Sequence, residues 1–295
     1  MQILDGKLVS KAVKDQLTES VNLLKEKGKK VPHLAAILVG SNGASETYVA
    51  GKIKDCEEVG FNSTLLRLDE SISEKSLIEH IGFLNDNPDV DGILVQLPLP
   101  AHIKEEHIIS SIEPGKDVDG FHPVSMGKMV NGLPAFIPAT PYGIMLMLEH
   151  YKIETSGKYA VVIGRSHIVG TPMSILLSRN APFGNCTVTQ CHSKTHDLAS
   201  FCREADILVV AMGKPEFITA DMVKEGAVVI DVGITRIPDA NKKSGFRLAG
   251  DVKYNEVAPK CSYITPVPGG VGPMTRAALL KNTYNAAIAL KAVMN

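Results

Sequence analysis

The sequence predicts an α/β protein of two domains with mainly parallel sheets, and three observations carry that prediction. Short apolar runs alternate with helix-patterned segments, the alternation stops at a stretch dense in glycine and proline, and then it resumes. Strands alternating with helices imply right-handed βαβ units. The length of 295 residues lies where chains usually divide into two cores.

The elements follow in order. Residues 8–28 place Val9, Val13, Leu17, Val21 and Leu24 at helical spacing, with charged residues on the other face and Gly28 as a stop. Residues 34–40 (LAAILVG) read as a short buried strand, 44–59 as a helix, 64–68 as a strand, 73–85 as a helix and 91–100 (DGILVQLPLP) as a buried strand ending in prolines. From Glu113 to Tyr142 glycines and prolines recur too often for long regular elements, which marks a functional connection. The rhythm restarts with strand candidates at 158–164, 187–192, 206–213 and 227–233, followed by a strand and glycine/proline loop at 262–275. Residues 273–295 are rich in alanine and leucine without a breaker and read as one long helix. Its apolar residues Ala277, Leu279, Leu280, Ala286, Ala287 and Leu290 predict a packed helix rather than a free tail.

Composition excludes several function classes. The formal net charge is −1 and neither sign gathers into a tail, which argues against a nucleic-acid groove or a polybasic membrane patch. No apolar run approaches the about 20 residues of a membrane span, and the start carries no apolar signal core, so a cytoplasmic location is expected. The five cysteines are odd in number and form no C-x-x-C pair, so they read as free thiols. Cys186, Cys191 and His192 lie close in sequence but lack the paired spacing of a zinc site, and no metal is expected.

Residues 161–172 (VVIGRSHIVGTP) form a strand, a turn and a helix start, the context in which backbone N–H groups hold a phosphate. Gly164 suits the tight turn and Gly170 close helix–strand packing, but Ser166 stands where the dinucleotide motif usually has its middle glycine. A ligand-free turn is the competing reading. The next strand ends in Gln190-Cys191-His192-Ser193-Lys194-Thr195, with no carboxylate to accept from a ribose hydroxyl. Arg165 offers a planar fork for a 2′-phosphate, so the chemistry favours NADP over NAD. Lys194 is either a ligand or a solvated surface lysine. Residues 231–234 (DVGI) end a parallel strand, where such sheets bind ligands or simply turn. In TPVPGGVGPMT (265–275) glycines allow close backbone approach and prolines stiffen the loop.

Tyr48 and Lys52 lie four apart on the helix at 44–59 and share one face. Gln96 sits inside an apolar strand, where a buried amide needs partners, as a structural hydrogen-bonder or as a substrate contact. Asp117 and Asp119 in GKDVDG are candidate turn-formers, Asp117 foremost.

Taken together, YVAGKIK, VQLPLP, PGKDVDGFHP, GRSHIVGTP, CHSKT, DVGI and TPVPGGVGPMT resemble, in the same order, the bifunctional methylenetetrahydrofolate dehydrogenase/cyclohydrolase family along nearly the whole chain. The resemblance implies two α/β domains around a cleft, the second a Rossmann-like doubly wound parallel sheet. Residues 1–140 with 274–295 would form the folate-binding catalytic domain, and 141–273 the NADP-binding domain. It implies that Lys52 is the catalytic lysine, Tyr48 its aromatic neighbour, Gln96 the amide that positions it, and Asp119 the pterin-binding acid. Gly164, Arg165, Ser166, Ser193 and Ile234 are assigned to NADP, and Pro268 and Gly269 to a tetrahydrofolate derivative as substrate. A homodimer is expected from the family alone. The chain departs from the family at Ala139, which replaces a cysteine, and at Gly43, which replaces a proline and is expected to loosen the loop before Tyr48. A dehydrogenase-only folate enzyme and a silent folate- or nucleotide-binding homologue are the rival readings. The Tyr48/Lys52/Gln96 set argues against the first, and retention of Lys52 and the PGGVGPMT loop against the second.

Overall fold

A computed structural model of the chain describes residues 1–240, 242 and 245–292. The side chains of residues 44 and 289–292 lie outside that description, the expected packing residue Leu290 among them. The first part of the chain runs β1 (Gln2–Ile3), α1 (Gly6–Glu26), β2 (His33–Val39), α2 (Gly43–Val59), β3 (Asn62–Leu68), α3 (Glu74–Asp86), β4 (Gly92–Val95), α4 (Glu105–Ser111), α5 (Pro123–Val130) and α6 (Ala139–His150). The second part runs β5 (Tyr159–Ile163), α7 (Gly170–Ser178), β6 (Thr187–Cys191), α8 (Leu198–Glu204), β7 (Ile207–Val210), β8 (Val228–Asp231), β9 (Thr235–Pro238), β10 (Phe246–Ala249), α9 (Tyr254–Val257), β11 (Tyr263–Ile264) and α10 (Val271–Ala292). By their contacts these residues form two compact units, one of Lys11–Ala139 with Arg276–Asn295, the other of Met1–Ser10 with Thr140–Thr275.

The first of these units is built on a parallel sheet of order β3-β2-β4, with Ile37 opposite both Leu66 and Val95. Along β2, Ala35, Ile37 and Val39 join Leu77, Ile81 and Leu84 of α3 in one apolar cluster. The alternate residues Leu34, Ala36 and Leu38 are buried as well. Burial on both faces explains why this strand reads as an unbroken apolar run rather than an alternating one. Within the glycine- and proline-rich stretch one short helix forms after all. Proline is tolerated in a first helical turn, and Pro123 opens α5 while the His122 side chain accepts the Val124 N–H.

The second unit carries a six-stranded sheet of order β1-β11-β8-β7-β5-β6, parallel at every pairing. The chain steps from β5 outward to β6 and then back past β5 to β7. Right-handed crossovers in opposite directions put α7 and α8 on opposite faces, which makes the sheet doubly wound. The reversal between β5 and β7 is the topological switch point, where open α/β sheets bind ligands.

Two features depart from the expectations. Residues 1–10 were expected with the folate domain, but β1 pairs in parallel with β11 and so extends the sheet of the second unit. A two-residue strand has too little pattern to be read. After β8 the chain also makes an antiparallel hairpin, β9 with β10, whose connection is too long to carry a tight-turn signal.

Helix α10 brings the C-terminal segment back into the first unit, where Ala277, Ala278, Leu279, Leu280, Ala286 and Ala287 are buried. Thr283 and Asn282 are the buried polar residues in that row; Thr283 bonds within the helix, and Asn282 reaches outside it. Its amide donates to the Val118 carbonyl at 2.8 Å and to the Ile137 carbonyl at 2.9 Å. Asn282→Ala leaves both buried acceptors without this donor, at a cost of about 1–3 kcal/mol. A thermal melt should show a lower Tm for this variant, and an unchanged Tm would contradict the anchoring role.

Candidate active site

Tyr48 and Lys52 project from one face of α2, as their spacing predicts. Their exposures differ: Tyr48 is 38% exposed, whereas Lys52 is 7% exposed. The Lys52 Nζ donates to Gln96 Oε1 at 3.1 Å. Gln96 follows directly on β4, its own N–H bonded to the Ile37 carbonyl of β2 at 2.9 Å. Its Nε2 donates to the Leu97 carbonyl at 2.7 Å. That second bond turns the amide so that its oxygen, the only atom able to accept, faces the lysine. The peptide bond that follows, Leu97–Pro98, is cis. Gln96 thus makes a structural hydrogen bond whose partner is the candidate lysine.

Asp119 reaches the same place from a loop whose preceding residues are each tied down. Lys116 Nζ donates to the carbonyls of Leu84, Asn85 and Asn87 at 3.0, 2.6 and 2.7 Å, which caps the C-terminus of α3. Asp117 is 1% exposed and accepts from Phe121 N, His122 N and Ser125 Oγ. Its turn-forming role is thus visible. Next, the Val118 carbonyl receives Asn282. Gly120 has φ +74°, and a Cβ there would lie 2.6 Å from the Ile137 carbonyl carbon, so only glycine lets the loop leave at this point.

Desolvation sets the electrostatics. Burial pushes the Lys52 amine below the ordinary lysine range, and the negative charge of Asp119 partly opposes it. Burial pushes the Asp119 carboxyl up, and Lys52 pulls it back. Both groups are displaced toward their neutral forms, which makes a proton easy to move at this spot. One helical turn beyond Lys52, Asp55 pairs with Arg276 Nε at 3.1 Å and Lys14 Nζ at 3.4 Å. The pairs tie α2 to α1 and α10. The sequence reading missed both, and missed Asn282 and Lys116. Of these only Asn282, a polar residue within the alanine- and leucine-rich last helix, carries the kind of signal that singled out Gln96.

Gly43, expected to loosen the loop before Tyr48, is instead the first residue of α2, and Thr47 Oγ1 bonds to its carbonyl at 2.8 Å. The helix, not a loop, holds the position. Ala139 is buried at the start of α6. Cys186, Cys191 and Cys202 are buried, and burial raises all three thiols, Cys186 to about 11 and Cys202 to about 12. Thiols so raised are poor metal ligands or nucleophiles.

In the other unit, the nucleotide candidates all lie just past the carboxyl ends of parallel strands. Gly164–Ser166 follow β5, Ser193 follows the adjacent β6 and Ile234 follows β8, while Pro268 and Gly269 follow β11. Gly164 has φ +132°, and a Cβ on it would come within 2.5 Å of the Ala211 carbonyl oxygen. At Gly170 a Cβ would collide with the Gly164 carbonyl. The two glycines therefore let α7 start hard against the end of β5. Ser166 Oγ accepts from Val169 N at 3.1 Å and shapes the turn. Past β6, His192 N donates to Thr195 Oγ1 at 2.9 Å, which holds Ser193 exposed at the tip. Arg165 is exposed in the turn after β5, the strand adjacent to β6. This set suits a dinucleotide with an extra phosphate: a glycine turn at a helix start, an arginine, hydroxyls and no carboxylate closing β6. The loop of Pro268 and Gly269 is fixed by Gly6 N donating to the Gly269 carbonyl at 2.9 Å.

A family model described as tetrahydrofolate dehydrogenase/cyclohydrolase, catalytic domain, matches residues 4–119. One described as tetrahydrofolate dehydrogenase/cyclohydrolase, NAD(P)-binding domain, matches residues 138–291. The bifunctional protein FolD of Cytophaga hutchinsonii is 62% identical over 287 residues, 97% of this chain and 99% of that one. The crystal structure of the bifunctional FolD methylenetetrahydrofolate dehydrogenase/cyclohydrolase from Campylobacter jejuni is similar at a TM-score of 0.92 and 49% identity, covering 98% of this chain and 99% of that one. A methylenetetrahydrofolate dehydrogenase-cyclohydrolase of Trypanosoma brucei, solved with NADP cofactor and an inhibitor, is similar at a TM-score of 0.92 and 38% identity over 97% of each chain.

The loop that carries Asp119 yields a pH prediction. Burial pushes the Asp117 carboxyl up to about 7, above its unfolded value of 3.8. Folding then favours the protonated acid, so this group's contribution is greatest at low pH and is lost as pH rises toward 7. Asp117→Asn cannot titrate. Relative to the wild type, its Tm should rise between about pH 5 and about pH 8, and a Tm difference independent of pH would refute the raised carboxyl.

Proposed function

From the premise that the chain belongs to the tetrahydrofolate dehydrogenase/cyclohydrolase family, we infer that the buried, hydrogen-bonded Lys52 amine is the proton-handling group of its hydrolytic step. The enzyme is bifunctional. It oxidises 5,10-methylenetetrahydrofolate to the 5,10-methenyl compound with NADP and hydrolyses that product to 10-formyltetrahydrofolate. The observation that carries the assignment of Lys52 is its bond to Gln96 at a position 7% exposed to solvent.

When bound, NADP would supply the hydride acceptor for the methylene carbon. The rest is supplied by the chain. Gly164, Arg165, Ser166, Ser193 and Ile234 are assigned to holding the nucleotide, Arg165 by a charge-assisted fork to the extra phosphate. Tyr48 offers an exposed ring to pack on the folate, Asp119 is assigned to the pterin, and Pro268 and Gly269 are assigned as further substrate contacts. In the hydrolysis, water forms a C–O bond to the cationic methenyl carbon and loses a proton to the neutral Lys52 Nζ. The bond from that carbon to N5 then breaks, its electron pair stays on N5, and N5 takes a proton while the hydroxyl proton leaves. The products are 10-formyltetrahydrofolate and one proton in excess, released to solvent. A neutral amine is required at the start, and burial provides it.

A lysine held in this way suits the hydrolytic step and favours the bifunctional reading over a dehydrogenase-only enzyme. No helix among the described residues is long and apolar enough to cross a membrane. Five free cysteines support a reducing compartment, and we place the enzyme in the cytoplasm. We also assign it as a homodimer, with β6 as a terminal strand of the large sheet whose outer edge is available for pairing. Light scattering on purified protein tests this.

Lys52→Met should reduce methenyl hydrolysis by about 10²–10⁴-fold, because methionine keeps much of the length but cannot take a proton. Fold and NADP affinity should be retained. Hydrolysis at the wild-type rate by the folded variant would end the assignment. Arg165→Ala should lower NADP affinity about ten- to a hundredfold and narrow the preference over NAD. Steady-state kinetics with both cofactors reads this out, and equal use of NAD and NADP by the wild type would defeat it.

A further inference from the structure

Two carboxyl groups that play no part in the reaction described above stand behind the carboxyl edge of the six-stranded sheet. Asp231 ends β8 and is 3% exposed, and Asp251 follows β10 and is fully buried. Asp231 Oδ1 accepts from Gly233 N at 3.0 Å and from Asp251 N at 2.9 Å, and its Oδ2 accepts from Val252 N at 2.9 Å. Asp251 Oδ2 accepts from Met212 N at 2.8 Å and Gly213 N at 2.9 Å, in the loop that follows β7. Asp251 Oδ1 has no hydrogen-bond partner among the described residues. A buried carboxylate oxygen without a donor carries a desolvation cost that a purely structural side chain would be expected to avoid.

The contacts around this pair lead directly to the nucleotide turn. Met212, whose N–H Asp251 holds, is joined to Ala211. The Ala211 carbonyl is the atom on which Gly164 rests, 2.5 Å from where a Cβ would be, and the Ala211 N–H donates to the Ile163 carbonyl at 2.8 Å. On the other side, Asp231 holds Gly233, the residue before Ile234. A Cβ on Gly233 would collide with the Asp251 carboxyl, and one on Gly250 would collide with Asp231. Both glycines are therefore there to admit the carboxyls. Gly233 carries no left-handed φ that would call for glycine.

We propose that Asp251, seated by Asp231, is a positioning residue for the nucleotide: through Met212 and Gly233 it fixes the backbone on which Gly164 and Ile234 are placed. The proposal rests on the assignment of Gly164 and Ile234 to NADP. It gives a use to both acids, which otherwise stand as an isolated pair of buried carboxyls.

The test compares Asp251→Ala, Asp251→Asn and Gly233→Ala in the full-length enzyme. The readouts are the KM for NADP, the dehydrogenase kcat and the rate of hydrolysis of preformed methenyltetrahydrofolate, which consumes no nucleotide. Asp251→Ala deprives two N–H groups of their acceptor and should raise the KM for NADP at least about tenfold, with hydrolysis within about twofold of wild type. Asp251→Asn keeps an acceptor facing Met212 and Gly213 and should hold the KM within about threefold. Gly233→Ala displaces the carboxyl without removing it and should raise the KM as the alanine variant does, which keeps the test open if Asp251→Ala fails to fold. Hydrolysis falling in step with nucleotide use, or Asp251→Asn failing as badly as Asp251→Ala, would overturn the positioning role. An unchanged KM in both alanine variants would overturn it too. Arg165→Ala run alongside separates the two levels. If it alone raises the KM, the nucleotide site stands and the positioning role fails; if no variant does, the nucleotide assignment fails with it.

Discussion

The arrangement depends on one hydrogen bond placed out of water, the 3.1 Å contact from Lys52 Nζ to Gln96 Oε1. An exposed lysine is protonated at neutral pH and has no lone pair to offer. Burying it without a partner would be costly, and pairing it tightly with a carboxylate would fix its charge. A neutral amide acceptor avoids both outcomes. It satisfies one donor of the amine and adds no negative charge, so desolvation remains the dominant influence and pushes the amine toward its neutral form.

The surrounding structure keeps that compromise in place. The strand β4 delivers Gln96, and the Leu97 carbonyl sets which end of its amide faces the lysine. Asp119 partly opposes the loss of the amine's charge, and the residues just before it are anchored by Lys116 on the end of α3, by the bonds to Asp117 and by Asn282 from α10. Helix α2 is held from behind by the ion pairs of Asp55. Each anchor fixes backbone or helix position rather than touching the amine. The amine is thereby left free to exchange a proton.

Much of this was legible in the sequence, for identifiable reasons. Tyr48 and Lys52 fall on one face because helical spacing puts them there, and Gln96 stands out because an amide in a buried strand must be satisfied. Gly164 and Gly170 are recognisable because a tight strand–helix turn leaves no room for a Cβ. Asp117 read as a turn-former and is one. What escaped depends on contacts between residues far apart in the chain. Asn282 meets Val118 across 164 positions, and Asp251 meets Met212 across 39. No local pattern encodes such pairs. The strand β1 was missed because two residues carry no period, and its pairing with β11 moves residues 1–10 into the other unit. Gly43 was read as a loop residue because it stands where the family has a proline, yet at the open first turn of α2 a glycine costs little.

The central claim is that Lys52 is a lysine with a depressed pKa in the resting enzyme. Titration of the wild-type protein labelled with 15N at lysine side chains, followed by NMR and assigned by comparison with Lys52→Met, measures this directly. The account predicts one resonance, absent from the variant, that titrates below the ordinary lysine value of 10.5. A Lys52 resonance that titrates at or above that value would contradict it.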